Sequence, residues 1–147
     1  MSLPKVIYDP GTGNVTLTFL RGPRQFACFY SARVHDNLAT GGLRERVVEA
    51  KDILISFEMP ALRITDDFDD WAQFMDHALA GGQFSFYPNA ALTSDYYHCV
   101  SDDTGFEYSR NAPGQYAAAF AWRVVPDAQA PDDPGEVMKA FYGVTSA

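Results

Sequence analysis

The sequence has few basic residues and no long apolar run. Its 11 lysines and arginines are outnumbered by 19 aspartates and glutamates, which gives a formal net charge of −8. Proteins that bind nucleic acid by neutralising phosphates carry clustered Lys and Arg, so we expect no sequence-specific nucleic-acid binding. A membrane-spanning helix needs about 20 predominantly apolar residues, and the absence of such a run predicts no membrane insertion.

Cysteine is scarce as well, occurring only at Cys28 and Cys99. The two positions are far apart in sequence, and each has apolar, strand-like neighbours. We therefore expect two buried free thiols. The first residues contain no basic segment followed by an apolar one, so we expect no secretory signal and synthesis in a cytoplasm.

Motifs for catalysis and for metal or cofactor binding are also missing. The three histidines do not have the spacing of metal ligands, and His98 and Cys99, as neighbours on a strand, point to opposite faces. The aspartates of residues 66–70 lack the alternating oxygens and central glycine of a calcium loop. There is no phosphate-binding loop, dinucleotide fingerprint or Gly-x-Ser-x-Gly elbow. We expect no enzyme, with no catalytic, metal or cofactor-binding residues and no cofactor.

The clearest secondary-structure signal is present in residues 64–87, ITDDFDDWAQFMDHALAGGQFSFY. Apolar residues recur there at helical spacings of three and four. We predict one helix over about residues 66–80, with Thr65 or Asp66 as its N-cap and Gly81-Gly82 at its end. The predicted buried face consists of Phe68, Trp71, Ala72, Met75, Ala78 and Leu79.

Period-two alternation predicts strands on both sides of this helix. The predicted strands are residues 15–20, 25–35, 53–59, 84–87, 96–100 and 116–125. We expect the first two to pair as a hairpin, Pro60 to end the third, and residues 38–50 to belong to a protruding hairpin. The predicted fold is mainly β: an antiparallel β-sandwich or barrel packed by one α-helix, with a protruding hairpin and an extended C-terminal arm.

The composition changes at Pro126. Residues 1–125 are expected to form one β-sandwich plus helix domain, and residues 126–147 a C-terminal extension or arm. Prolines and aspartates should keep the first part of this segment extended, while GEVMKAFYG (135–143) can form a short helix. The segment either folds back on its own domain or reaches a neighbouring chain. We expect its deletion to leave the fold intact but to weaken assembly.

The order of these features resembles the distal tail and minor tail proteins, small β-sandwich proteins at the end of long bacteriophage tails. The resemblance covers about residues 13–125, and its motifs are structural and diffuse. The matching pieces are ILISFEMP (53–60), FDDWAQFMDHALAGGQFSFYP (68–88), YYHCV (96–100) and YAAAFAWRVV (116–125). Tail tube and tail terminator proteins share a similar design, so the position along the tail stays open.

The resemblance implies a structural subunit of the virion tail that is made and assembled in the host cytoplasm. It implies a homo-oligomeric ring, hexameric in the family, with tail tube and tail hub proteins as neighbours. The protruding segment, the small residues of the last strand and the C-terminal aromatics are the expected contacts between subunits. The expected interface residues are Gly41, Gly42, Arg44, Arg46, Val47, Ala117, Ala119, Ala121, Phe141 and Tyr142.

Two other classes of function stay open at this point. A carbohydrate- or ligand-binding module would stack sugar rings on exposed tyrosines, and an enzyme would assemble carboxylates from distant strands. The tyrosines in question are Tyr87, Tyr96, Tyr97, Tyr108 and Tyr116. Aromatic residues of a sandwich more often belong to its core.

Overall fold

Eight strands form a single antiparallel sheet in the part of the chain that the computed structural model describes, residues 3–38, 44–65, 67–103, 105 and 108–143. The strands are β1 (Lys5–Tyr8), β2 (Val15–Thr18), β3 (Arg24–Leu38), β4 (Arg44–Arg63), β5 (Phe84–Tyr87), β6 (Tyr97–Ser101), β7 (Tyr108–Ala112) and β8 (Gln115–Val124). The helices are α1 (Phe68–Leu79) and α2 (Pro134–Phe141). The strand order is β2-β1-β5-β6-β8-β4-β3, and β7 also pairs with β8.

The sheet is folded over, so that its two halves face each other. Phe26 of β3 stacks on Phe86 of β5 with 6.0 Å between ring centroids, although three strands separate these two in the sheet order. Phe19, just after β2, lies 5.6 Å from Phe57 of β4. The inward residues of both halves form one core. The predicted antiparallel β-sandwich packed by a helix is therefore confirmed.

Helix α1 contributes one apolar face to this core. Trp71, Phe74, Met75 and Ala78 are buried. Gly81 has a φ of +91°, as expected for the glycine that ends a helix. Leu79, predicted to be buried, is 40% exposed, and the helix ends at this residue.

The predicted N-cap of α1 is wrong. The N-cap is Asp67, while Thr65 precedes it and Asp66 lies outside the described residues. The buried carboxylate of Asp67 makes no capping bond; it accepts hydrogen bonds from the Arg63 N–H and from the Arg21 guanidinium, each at 2.7 Å. Arg21, which is distant in sequence, therefore holds the carboxylate of the N-cap residue Asp67.

Strand pairing differs from the sequence prediction in two places. Strand β2 pairs with β1, which the sequence did not reveal, and β3 pairs with β4, so the predicted hairpin of residues 15–20 and 25–35 is wrong. Strand β4 also continues through Pro60 to Arg63. Its register to β8 shifts between Met59 and Leu62, and a proline is tolerated at such an irregularity because the regular ladder is interrupted there.

Strands β3 and β4 form a hairpin that extends beyond the rest of the sheet. Their pairing runs from Arg24 opposite Glu58 to Leu38 opposite Arg44. The pairing of β4 with β8 begins only at Leu54, opposite Arg123. Residues 44–53 of β4 therefore pair with β3 alone, which is the protruding hairpin that the sequence predicts.

The C-terminal segment lies against its own domain in the single chain. Asp133 caps α2 by accepting a hydrogen bond from the Glu136 N–H at 2.9 Å. Val137 is fully buried, and the Phe141 ring lies parallel to that of Phe26 with 4.2 Å between centroids. Deleting residues 126–147 would uncover this apolar surface, so we now expect the deletion to destabilise the domain.

Phe141→Ala should lower the free energy of unfolding by about 3 kcal/mol, since it removes a buried aromatic ring and leaves a cavity beside Phe26. Tyr142→Ala is the matched control: Tyr142 is 63% exposed, and its loss should change stability by less than about 0.5 kcal/mol. Urea unfolding followed by tryptophan fluorescence measures both. Equal effects of the two substitutions would show that α2 is not held by Phe141.

Candidate functional site

The hairpin carries five of the residues predicted to form the subunit interface. Arg44, Arg46 and Val47 are on β4, where their cross-strand partners are Leu38, Asp36 and His35. Gly41 and Gly42 lie outside the described residues.

One edge of this hairpin is open. Within the described residues β3 pairs with β4 alone and is the last strand of the sheet order. Near its start, Tyr30 donates a hydrogen bond from its hydroxyl to the Asp132 carbonyl oxygen at 3.3 Å, so the segment before α2 lies beside this part of β3. The backbone groups on an edge of this kind can pair with a strand of another chain.

Small residues cover the outer face of the sheet beside this hairpin. Ala117, Ala119 and Ala121 alternate on β8 with the buried Ala118, Phe120 and Trp122. Ser56 of β4 lies opposite both Ala121 and, on its other side, Ala27 of β3. The side chains here are small, and a hollow of about 310 Å³ opens beside Ala119, Ala121 and Glu58.

The half-buried carboxylate of Asp103 pairs with the β8 backbone where the partner strand of β8 changes. The β8 strand pairs with β7 up to Ala118 and with β6 from Trp122 onward. Between them, the Ala121 N–H donates to Asp103 Oδ2 at 3.1 Å, and its carbonyl accepts from the Asp102 N–H at 2.9 Å. Burial raises the pKa of the Asp103 carboxyl.

The two remaining interface candidates are in and after α2. Phe141 is buried against Phe26 of its own chain, whereas the neighbouring Tyr142 is exposed. Of this pair, only Tyr142 is accessible to another molecule without movement of α2.

A separate cavity of about 420 Å³ opens on the outer face of β1, β5 and β6. Ile7, Ser85 and His98 form one row across the three strands, since Ile7 lies opposite Ser85 and Ser85 opposite His98. Tyr87 and Tyr96 stack on one side of the row with 5.1 Å between ring centroids. The cavity therefore has two stacked tyrosine rings on one side and the row of Ile7, Ser85 and His98 at its base.

His98 is paired with a carboxylate at this cavity. Its Nδ1 lies 2.7 Å from Oδ2 of Asp127, with both side chains about one third exposed. The hydrogen bond from His98 lowers the pKa of the Asp127 carboxyl, and the Gln129 N–H adds to the effect. Because 29 residues separate the pair, no sequence motif indicates it.

The tyrosines considered as sugar platforms have different environments. Tyr97 is buried in the core, and Tyr116 contacts Phe68 with 5.2 Å between centroids. Tyr87 has Tyr96 stacked beside it and the Lys5 ammonium 4.6 Å from its ring centroid. Tyr108 is half exposed.

Both cysteines are free thiols. Cys99 is fully buried and belongs to the core. Cys28 is partly buried and packs against the core. Burial raises the pKa of Cys28 to about 12 and raises that of Cys99 as well.

The described residues contain neither a metal-binding cluster nor a membrane-spanning helix. Among residues 3–38, 44–65, 67–103, 105 and 108–143, no group of three or more His, Cys, Asp or Glu side chains could hold a metal ion. In the same ranges, neither helix has the length and apolar character needed to cross a membrane.

Comparison with known proteins identifies no family. No protein-family model and no curated protein sequence matches the chain. Among solved structures, it is similar to a chain in the tail of an empty gene transfer agent particle with C6 symmetry, and to a chain in the virion of a native gene transfer agent particle. Each has 16% identity and a TM-score of 0.45 over 84% of this chain and 91% or 92% of the other. A similarity this low carries no inference about function.

Cys28 should react very slowly with iodoacetamide at pH 8 in the native protein, because a pKa of about 12 leaves about one thiol in ten thousand as the reactive thiolate. Cys99 should be similarly unreactive. In urea both should be alkylated at the rate of an ordinary cysteine, as followed by mass spectrometry. Equal rates in the native and unfolded protein would contradict the burial of these thiols.

Proposed function

We propose that the chain is a structural subunit of a phage or phage-like tail, and that its copies assemble into a ring at the distal end of the tail. Its neighbours would be the tail tube and the baseplate hub. The observation that carries this proposal is the β3–β4 hairpin, which extends beyond the sheet and has an open edge. Assembly, and not chemistry, is the role that this feature supports.

An isolated two-stranded hairpin is only marginally stable in water. The distal part of the hairpin runs from Leu38 and Arg44 back to residue 53. Among the described residues, no third strand pairs with it. A neighbouring copy that adds a strand at the β3 edge would satisfy the exposed backbone groups, at about 0.5–1.5 kcal/mol for each hydrogen bond. The hairpin is thus better suited to an assembly than to a monomer.

Other features agree with a ring of copies. The sequence resemblance to distal and minor tail proteins implies a hexamer. The small side chains on the outer face of β8, the alanine face, lie next to the hairpin, where a neighbouring chain would meet little steric hindrance. The net charge of −8 would also keep a ring from binding DNA that passes through its lumen.

Shortening the hairpin tests this proposal. Val34 and Val48 are cross-strand partners, so an Asn-Gly dipeptide that replaces residues 35–47 would join them by a two-residue turn. The variant should fold with a nearly unchanged unfolding midpoint and remain monomeric. Light scattering after gel filtration and electron microscopy should show rings for the unmodified protein at the same concentration. Rings formed by the shortened variant, or a strictly monomeric unmodified protein at high concentration, would refute the proposal.

The alanine face allows a second test. Ala119→Arg places a long charged side chain on the exposed outer face of β8. It should raise the protein concentration needed for assembly at least tenfold, while the fold is kept. Ala80→Arg is the matched control, since it adds the same side chain at an exposed position just after α1. Sedimentation velocity across a dilution series compares the two variants. Equal assembly of both would exclude this face from the interface.

A further inference from the structure

We infer that the hairpin of one copy docks in a groove between the β1–β2 connection and α1 of the next copy. This inference rests on the proposed ring and deepens it, because it names the surface that receives the hairpin. The docking part of the hairpin, called the arm below, consists of residues 33–38 of β3 and 44–51 of β4.

The groove is present where the start of β2 lies beside the helix, and its volume is about 580 Å³. This volume is within the range of protein binding sites and is large enough for several side chains. Its lining includes Pro10, Thr12 and Val15 from the β1–β2 connection and β2, and Ala72, Gln73 and Asp76 from α1. The groove therefore has apolar residues from both elements and polar residues of the helix.

Val15 shows that part of the core-facing side of β2 is uncovered at this groove. It is two residues from Leu17, so the two side chains are on the same face of the strand. Leu17 is 5% exposed, whereas Val15 is 39% exposed. Covering such apolar surface contributes about 25 cal/mol per Å² to the free energy of association. A protein segment that enters the groove would gain this contribution.

The helix side of the groove is negatively charged. Asp69, Gln73 and Asp76 are spaced four and three residues apart and thus share one side of α1, and they are exposed, as is Asp70. Among the described residues, the three carboxylates form no ion pair. Burial, and next the charge of Asp70, raise the pKa of the Tyr8 hydroxyl, which also lines the groove. The negative charge here is therefore not compensated within the chain.

The arm differs in charge from the rest of the chain. Residues 33–38 and 44–51 contain four of the 11 basic residues and three of the 19 acidic ones. Their formal charge is +1, while the remaining residues carry −9. Two copies therefore repel each other through their bodies, whereas the arm of one is attracted to an acidic surface of the other. Complementary charges of this kind orient two partners as they meet.

The arm and the groove are at opposite ends of the strand order. Strand β3 is the last strand at one end, and β2, beside the groove, is the last at the other. Among the described residues, β2 pairs with β1 alone. Backbone groups on two such edges can pair between chains. Because each copy has one arm and one groove, the contact is head to tail, which is the type of contact that closes into rings.

Mixing two complementary variants tests this inference. The first has an Asn-Gly dipeptide in place of residues 35–47, so it lacks the arm but keeps the groove. The second, Gln73→Arg, keeps the arm but has a long cationic side chain at the groove. Each alone should be monomeric, and an equimolar mixture should give a one-to-one heterodimer, since one arm and one groove remain. Sedimentation velocity measures the masses.

Val15→Arg is a second groove variant and should behave as Gln73→Arg does in the mixture. Thr16→Arg is the matched control, because Thr16 is exposed on the opposite face of β2, and it should form rings as the unmodified protein does. Circular dichroism checks the fold of each variant. Rings formed by both groove variants, or a mixture that stays monomeric, would overturn the inference and leave the ring itself unaffected. A strictly monomeric unmodified protein would refute both proposals.

The charge of the groove allows a further test. Asp76→Lys should raise the protein concentration needed for assembly at least tenfold at low salt, because it repels the basic residues of the arm. The difference should shrink at about 0.5 M NaCl, where salt screens exposed charges. Asp95→Lys is the control, since among the described residues the Asp95 side chain forms no ion pair and does not line the groove. Equal assembly of the two variants at low salt would overturn the docking of the arm on α1.

Discussion

The fold depends on contacts between Trp71 of α1 and rings from both halves of the sheet. Its ring centroid is 4.9 Å from that of Phe19, which follows β2, and 4.9 Å from that of Phe120 on β8. Trp122 makes a similar connection, at 4.8 Å from Phe84 and 4.8 Å from Phe57. The Trp71–Phe19 contact and both Trp122 contacts are edge-to-face, and such contacts contribute about 0.5–1.5 kcal/mol beyond the burial of the rings. The indole N–H groups of both tryptophans are buried and have no hydrogen-bond partner among the described residues, so aromatic packing must outweigh their desolvation.

The aromatic side chains of both sheet halves pack against each other in the core. The outer surfaces are therefore available for other roles. The hairpin, the alanine face of β8 and the cavity beside His98 all lie outside the core. Helix α2 closes the side where β3 faces β5, through Phe141 and Val137. The domain can therefore present several independent surfaces, and a change at one need not disturb the packing beneath the others.

Sequence periodicity predicts the elements whose secondary structure is determined by the pattern of their own residues. The alternation of Phe84 and Phe86 and the helical spacing of Trp71 and Met75 both correspond to buried faces. Strand β1 was missed because KVIY is too short for a period to be recognised, and β7 because YSRNA has low strand propensity and is held by pairing with β8. Similarly, cross-strand register places Ser85 opposite His98, and a linear sequence does not reveal register.

The length of the β3–β4 hairpin has a geometric consequence. Residues 44–53, which pair with β3 alone, span roughly 34 Å at about 3.4 Å per residue. A compact chain of this size has a radius of gyration of about 15 Å, so the arm is about as long as the body is wide. In the proposed ring, an arm of this length would span about the width of an adjacent subunit and would thus set the distance between subunit centres. Adding two residues to each strand would increase that reach by about 7 Å with the same faces outward, whereas adding one would turn the tip over.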